Sequence, residues 1–166
     1  IPPSENELIP QIPPNVEIDI LQIRMFTEMQ GWAIGEWETG LERILRTEDG
    51  GQTWRDLSPP EEITNGDAPF LRATAFFLDL ETAWVAYQPD PHAQAGVIWR
   101  KKDAGQTWEP NLDRVVGISE SATSWAKLEF VDESHGWLLI DHHLRGSTFK
   151  SELFQTLDGG ITWQLL

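Results

Sequence analysis

Three times in 166 residues the chain writes nearly the same turn: Thr47-Glu48-Asp49-Gly50-Gly51-Gln52-Thr53-Trp54, then Asp103-Ala104-Gly105-Gln106-Thr107-Trp108, then Asp158-Gly159-Gly160-Ile161-Thr162-Trp163. The Asp positions 49, 103 and 158 are 54 and 55 residues apart, a spacing that belongs to architectures built by stacking one small unit. No other feature limits the fold as much, because a unit of that length cannot bury both of its faces alone and must lean on its neighbours.

The residue types that recur have physical reasons. An Asp at the start of a tight turn can fold its carboxylate back onto backbone N–H groups further along, which holds a hairpin without packed side chains. Two residues later stands Gly51, Gly105 or Gly160, the residue that reaches positive φ at little steric cost. The position between accepts Gly50, Ala104 or Gly159 and reads as the less demanding of the two. Trp54, Trp108 and Trp163 follow on the departing strand, where a large ring buries much apolar area. They are expected in the core between sheets.

Upstream of each turn the repeat extends further. Met25 to Trp32, Phe77 to Trp84 and Phe130 to Trp137 share a spacing of seven and end in Gly-Trp or Ala-Trp. Before them run alternating apolar positions, Leu21, Ile23 and Met25, then Ala73, Ala75 and Phe77, then Leu128 and Phe130, the period of a half-buried strand. Trp32-Ala33-Ile34, Trp84 to Tyr87 and Trp137 to Ile140 read as second strands. Ile44-Leu45, Ile98-Trp99 and Leu153-Phe154 read as third strands, and the Thr-Trp pairs lead into fourths. The expectation is an all-β chain of three four-stranded antiparallel units, about residues 18–58, 70–112 and 124–166, arranged as β-propeller blades. Closed propellers use four to eight blades, so three are expected to be part of a larger ring or of one completed by oligomerisation. The loops between second and third strands vary in length and share one face with the links between units, opposite the Asp turns.

Composition narrows the function. With 12 Lys and Arg against 27 Asp and Glu, the formal charge of −15 repels phosphate backbones and excludes nucleic acid as a partner. The chain has no cysteine, which excludes disulfides and thiolate chemistry. Residues 1–17, with Pro2, Pro3, Pro10, Pro13 and Pro14, read as an extended linker. Together with the initial Ile1 in place of Met, this predicts a domain exported from the cytoplasm behind a removed N-terminal segment.

The pattern Ser/Thr-x-Asp-x-Gly-x-Thr-Trp resembles the Asp-box, or bacterial neuraminidase repeat. The first and third copies fit it fully, and the second departs in having Lys101 where the family has Ser or Thr. Gly31-Trp32-Ala33-Ile34-Gly35, the run from Arg46 to Trp54, and Gly136-Trp137 resemble the photosystem II stability/assembly factor group of Asp-box proteins. That resemblance implies a secreted, non-enzymatic propeller that binds a protein, with no cofactor and no metal. It assigns structural roles to Asp49, Gly51, Thr53 and Trp54, to Asp103, Gly105, Thr107 and Trp108, and to Asp158, Gly160, Thr162 and Trp163.

Other Asp-box proteins are glycosidases. Sialidases use an arginine triad and a Tyr nucleophile, but the one Tyr, Tyr87, ends a predicted strand and Arg24 lacks the sialidase setting. Hydrolysis of xyloglucan by related propellers needs two carboxylates across a bond, and Glu36, Glu38, Asp67 and Asp90 are spare acids without a defined placement. Part of a glycoside hydrolase, or a glycan-binding lectin-like propeller, is the alternative. His142-His143 reads as a solvated loop in preference to a metal site, since no further His or Cys has zinc spacing. His135 reads as a surface turn residue. Recognition is expected on the variable loop face, at Trp37, Glu38, Asp90, His92, His142, His143 and Arg145, and exposed blade flanks are expected to favour self-association.

Overall fold

The computed structural model describes residues 12, 16–37, 41–59, 72–88, 95–102, 107–111, 115–116, 125–143 and 149–166. They form strands and turns, with no helix. The first sheet joins β1 (Asp19–Met25), β2 (Gly31–Glu36), β3 (Arg43–Thr47) and β4 (Arg55–Asp56) in chain order, each antiparallel to the next. The second joins β5 (Arg72–Phe77), β6 (Ala83–Gln88), β8 (Ile98–Lys101) and β9 (Glu109–Pro110). The intervening β7 (Ala95–Gly96) pairs instead with β10 (Val115–Val116). The third is again a meander, of β11 (Trp125–Phe130), β12 (Gly136–His143), β13 (Phe149–Thr156) and β14 (Gln164–Leu165).

Strand alternation sends one set of side chains to each neighbouring sheet. From β2 and β3, Trp32, Ile34 and Ile44 meet Ala75, Phe77, Ala83, Val85, Tyr87 and Trp99 of the second sheet. From β6 and β8, Trp84, Ala86 and Ile98 meet Leu128, Phe130, Leu138, Ile140 and Phe154 of the third. The second sheet is therefore filled on both faces. The two interfaces are built alike: Trp32 stacks on Phe77 at 5.5 Å and 5°, and Trp84 on Phe130 at 3.6 Å and 8°. Aromatic pairs in contact add about 0.5–1.5 kcal/mol beyond the area they bury.

Polar contacts repeat as well. The Trp32 indole N–H donates to Asp79 O at 3.1 Å and Arg46 Nη1 to Leu80 O at 2.6 Å. Trp84 donates to Gly159 O at 2.8 Å, and Arg100 Nη1 lies 3.3 Å from Asp158 O. Trp32 and Arg46 are cross-strand partners, as are Trp84 and Arg100. Each of these two sheets thus grips the turns of the next with one indole and one guanidinium.

Two expectations about the core change. Trp108 and Trp163 do pack against the two clusters between sheets, but all three Trp after the Asp turns are only half-buried, because they precede outer strands of two residues each, and the fully buried indoles are Trp32 and Trp84 on the second strands. The β1 apolar positions are not half-buried throughout: Leu21 and Ile23 are each 54% exposed, and the register slips between Ile20 and Gln22. Such a bulge disrupts the alternation, and no described sheet packs on that side of β1.

Candidate functional site

The first and third Asp turns have the same internal bonds. Thr47 Oγ1 donates to Asp49 Oδ1 at 2.9 Å and accepts the Gly51 N–H at 2.8 Å, while Asp49 accepts the Thr53 N–H at 2.8 Å and the Thr53 hydroxyl at 2.5 Å. Thr156, Asp158, Gly160 and Thr162 repeat this at 2.8, 2.8, 2.9 and 2.6 Å. The work is divided: the leading Thr holds the glycine amide, and Asp holds the second Thr by its amide and its hydroxyl and is further stabilised by the amide before it, that of Gln52 or Ile161. The position after Asp is not undemanding here, since Gly50 and Gly159 have φ of 73° and 72°, alongside 88° at both Gly51 and Gly160.

The Thr53 hydroxyl and amide lower the Asp49 pKa to about 2. At Asp158 burial works against the charge, yet the Thr162 and Thr156 bonds outweigh it and the pKa falls below the usual carboxylate range. Both turn carboxylates are thus committed to their own hairpins. Asp103 and Gly105 lie outside the described residues. In that second copy Lys101, at the position of Thr47 and Thr156, is fully buried with Nζ 5.7 Å from the Trp108 ring. Thr107 is exposed, and the Trp108 indole donates to Leu57 O of the first sheet at 2.7 Å.

Of the residues expected on the variable loop face, Glu38, Asp90, His92 and Arg145 lie outside the described residues. Trp37 follows β2, half-buried, with the Arg43 guanidinium 5.9 Å from its ring centre. His142 and His143 are not in a loop but continue β12, paired with Lys150 and Phe149. His142 is also not available to a partner: it is 4% exposed, on the face that carries Ile140, and its Nε2 lies 3.1 Å from Glu152 Oε2. Lys150, bonded to Glu152 at 2.6 Å, holds that carboxyl below its ordinary range against the effect of burial. β12 runs three residues further than the periodicity suggested, and a His–Glu pair satisfies its buried end. His135 is an exposed turn residue whose Nδ1 lies 2.9 Å from Asp132 Oδ1.

Sequence reading did not single out the place where the first strands converge. A cleft of about 510 Å³ is lined by Gln22, Ile23 and Arg24 of β1, Ala73 to Phe77 of β5, and Ala126 to Glu129 of β11. Thr74 bridges two of these strands, donating to Ala126 O at 2.9 Å. Lys127 and Glu129 pair at 2.9 Å, and the Arg24 guanidinium lies 5.4 Å from the Phe26 ring centre. The signal lay in the residues between the apolar ones: Gln22 and Arg24, Thr74, and Lys127 and Glu129 occupy the alternate positions of their strands, the other face of which is core in β5 and β11.

Among the described residues no three His, Asp or Glu side chains converge as metal ligands. Tyr87 lies in the apolar cluster between the first two sheets. A scan against protein-family models and searches of curated proteins and of solved structures found nothing that matches this chain.

Proposed function

We propose that the three sheets are consecutive blades of an Asp-box β-propeller and that the chain is a non-enzymatic binding module, similar to the photosystem II stability/assembly factor group, which works outside the cytoplasm and takes a protein partner on the loop face. The observation that carries this reading is the repeated construction, one meander with one Asp turn, joined twice by a Trp–Phe stack and by an indole and a guanidinium that reach turn carbonyls of the next sheet, in the β5–β6 turn at one interface and in the Asp turn at the other. Two features weigh against catalysis: the one tyrosine is packed between sheets, and Asp49 and Asp158 are held by their own turns. Trp37 beside Arg43 is the anchor on the loop face, since aromatic and Arg side chains contribute most per residue at interfaces.

The polar lining of the cleft supports a second reading, a glycan-binding propeller. Two assays separate these readings. On the first, a glycan array gives no binding and sialosides and xyloglucan oligosaccharides are not hydrolysed, while proteins retained on the immobilised chain are lost from the Trp37→Ala, Arg145→Ala variant at unchanged Tm. Array binding abolished by Arg24→Ala selects the second reading, and hydrolysis of either substrate rejects both.

A further inference from the structure

The third sheet carries the same grip as the first two, and nothing described fills it. On β12, Leu138 and Ile140 face the second sheet, so Trp137 and Leu139 face away from it. Trp137 pairs across strands with Gln155, as Trp32 does with Arg46 and Trp84 with Arg100. Trp137 is half-buried and its indole N–H makes no hydrogen bond among the described residues, and Leu153 on the same face is 40% exposed. An indole N–H and a donor amide thus stand at the positions that elsewhere bind turn carbonyls.

The first sheet carries the matching receptor. Its β1–β2 turn is built as in the other sheets: Thr27 Oγ1 accepts the Met29 and Gln30 amides, as Asp79 accepts those of Glu81 and Thr82 and Asp132 those of Ser134 and His135. Thr27 O therefore corresponds to Asp79 O, the acceptor for Trp32, and Glu28 O to Leu80 O, the acceptor for Arg46; the first interface is the precedent, since Trp84 and Arg100 take Gly159 O and Asp158 O of the neighbouring Asp turn instead. Met25, which pairs with Gly31 as Phe77 pairs with Ala83, stands where Phe77 meets Trp32. This corner is accessible. Thr27 and Glu28 are exposed, Met29 is 51% and Ile23 54% exposed, although Ala33 and Leu45 further across the sheet are fully buried.

We propose that two copies of this chain associate head to tail, Trp137 and Gln155 of one copy gripping the β1–β2 turn of the other. The ring of Trp137 packs on Met25, its N–H donates to Thr27 O, and the Gln155 amide donates to Glu28 O. The donor and the receptor lie on sheets packed against opposite faces of the second sheet, so one chain cannot satisfy both internally through this contact. Used twice, the contact closes a ring of two chains if the rotation allows. The inference rests on the stacking of the three sheets and not on the loop-face partner, so each can fail without the other.

The test is sedimentation equilibrium of the purified chain. The wild type is expected at twice 18.9 kDa, with tighter association at higher salt as the charge of −15 per copy is screened. Trp137→Ala weakens the dimer about 30-fold or more, the loss expected for a buried aromatic anchor. Met25→Glu does the same from the receptor side, with Tm measured on both variants to show that they fold. Mixing the two variants restores one intact contact and part of the association. Gln155→Arg, which installs the residue used at Arg46 and Arg100, tightens it. Because the chain has no cysteine, Glu28→Cys and Gln155→Cys in one chain give a disulfide on oxidation that forms only between copies. A wild type monomeric at all concentrations and salts overturns the proposal, as does a dimer that Trp137→Ala disrupts and Met25→Glu leaves intact.

Discussion

The first and third Asp turns are the same object in two settings. Inside, they agree to within about 0.1 Å in each shared hydrogen bond and 1° in each glycine φ. Outside, they differ. The third is clasped by the second sheet: Trp84 donates to Gly159 O, Arg100 reaches Asp158 O, and a Cβ at Gly160 would lie 3.2 Å from the Trp84 ring. At the first, a Cβ on Gly51 would meet only Trp54 of its own turn, at 3.6 Å. A turn code written in eight residues thus suffices to set the local conformation, and packing decides how much of the molecule depends on it.

The sharpest way to break this comparison is to remove the clasp. Trp84→Ala should cost about 3–5 kcal/mol, as for other fully buried aromatics, because it also empties the stack on Phe130. Trp137→Ala, at the same position of the sheet that grips nothing described, should cost the isolated chain about 1 kcal/mol or less, nearer the range of surface changes. Denaturant unfolding of the two variants at a concentration where the wild type is monomeric compares them directly. Equal losses would mean that the clasp contributes nothing beyond the ring's own sheet.

A smaller effect comes from the glycines. Gly50→Ala places an L-residue in the left-handed region, at about 1–2 kcal/mol, with its Cβ 3.1 Å from Glu28 O. Gly159→Ala has the same φ but a Cβ 2.4 Å from Glu133 O, a backbone atom, and 3.0 Å from Arg100 Nη1. Forcing that space adds about 1–3 kcal/mol. The chain itself carries Ala104 at this position in its second copy, which lies outside the described residues. Thermal melts that rank Gly50→Ala as the more damaging would reverse the comparison.

How much of this was legible in the sequence follows the same line. Asp49, Gly51 and Thr53 recur because bonds within eight residues require them, and such a local requirement leaves a readable pattern. The strand pairs are legible too, since Arg46, Arg100 and Gln155 each stand three residues before an Asp, and Trp32, Trp84 and Trp137 each stand seven after Met25, Phe77 and Phe130. The ranking of the core indoles was not legible: Trp108 and Trp163 of the turn motif do reach the clusters between sheets, but each precedes a two-residue outer strand, whereas Trp32 and Trp84 are fully buried by a neighbouring sheet some 50 residues away in sequence. His142 was taken for a loop residue because its partner Glu152 sits ten positions on, across a hairpin whose register no local pattern gives. The cleft was missed for a similar reason: Gln22, Thr74 and Lys127 acquire a common surface only when three first strands converge.

The smallest effect is that of acid. Asp49 titrates at about 2 in the folded chain and near 3.9 when unfolded. A depressed carboxylate pKa stabilises above the unfolded value, so this contribution is present above roughly pH 4 and is lost as pH falls from there towards 2. Asp158 is shifted in the same direction and follows the same sign. The two turns should nevertheless respond differently. The bonds from Trp84 and Arg100 end on backbone carbonyls and do not depend on the Asp158 charge, so they hold the third turn closed after its carboxylate is protonated. Hydrogen exchange read between pH 5 and 2.5, corrected for the intrinsic rate, should show protection falling at the Gly51 and Thr53 amides before it falls at Gly160 and Thr162. In Trp84→Phe, which keeps a ring and Arg100 but loses the indole donor, the third turn should open at a pH closer to that of the first; unchanged protection there would assign its resistance to burial of the ring and to Arg100.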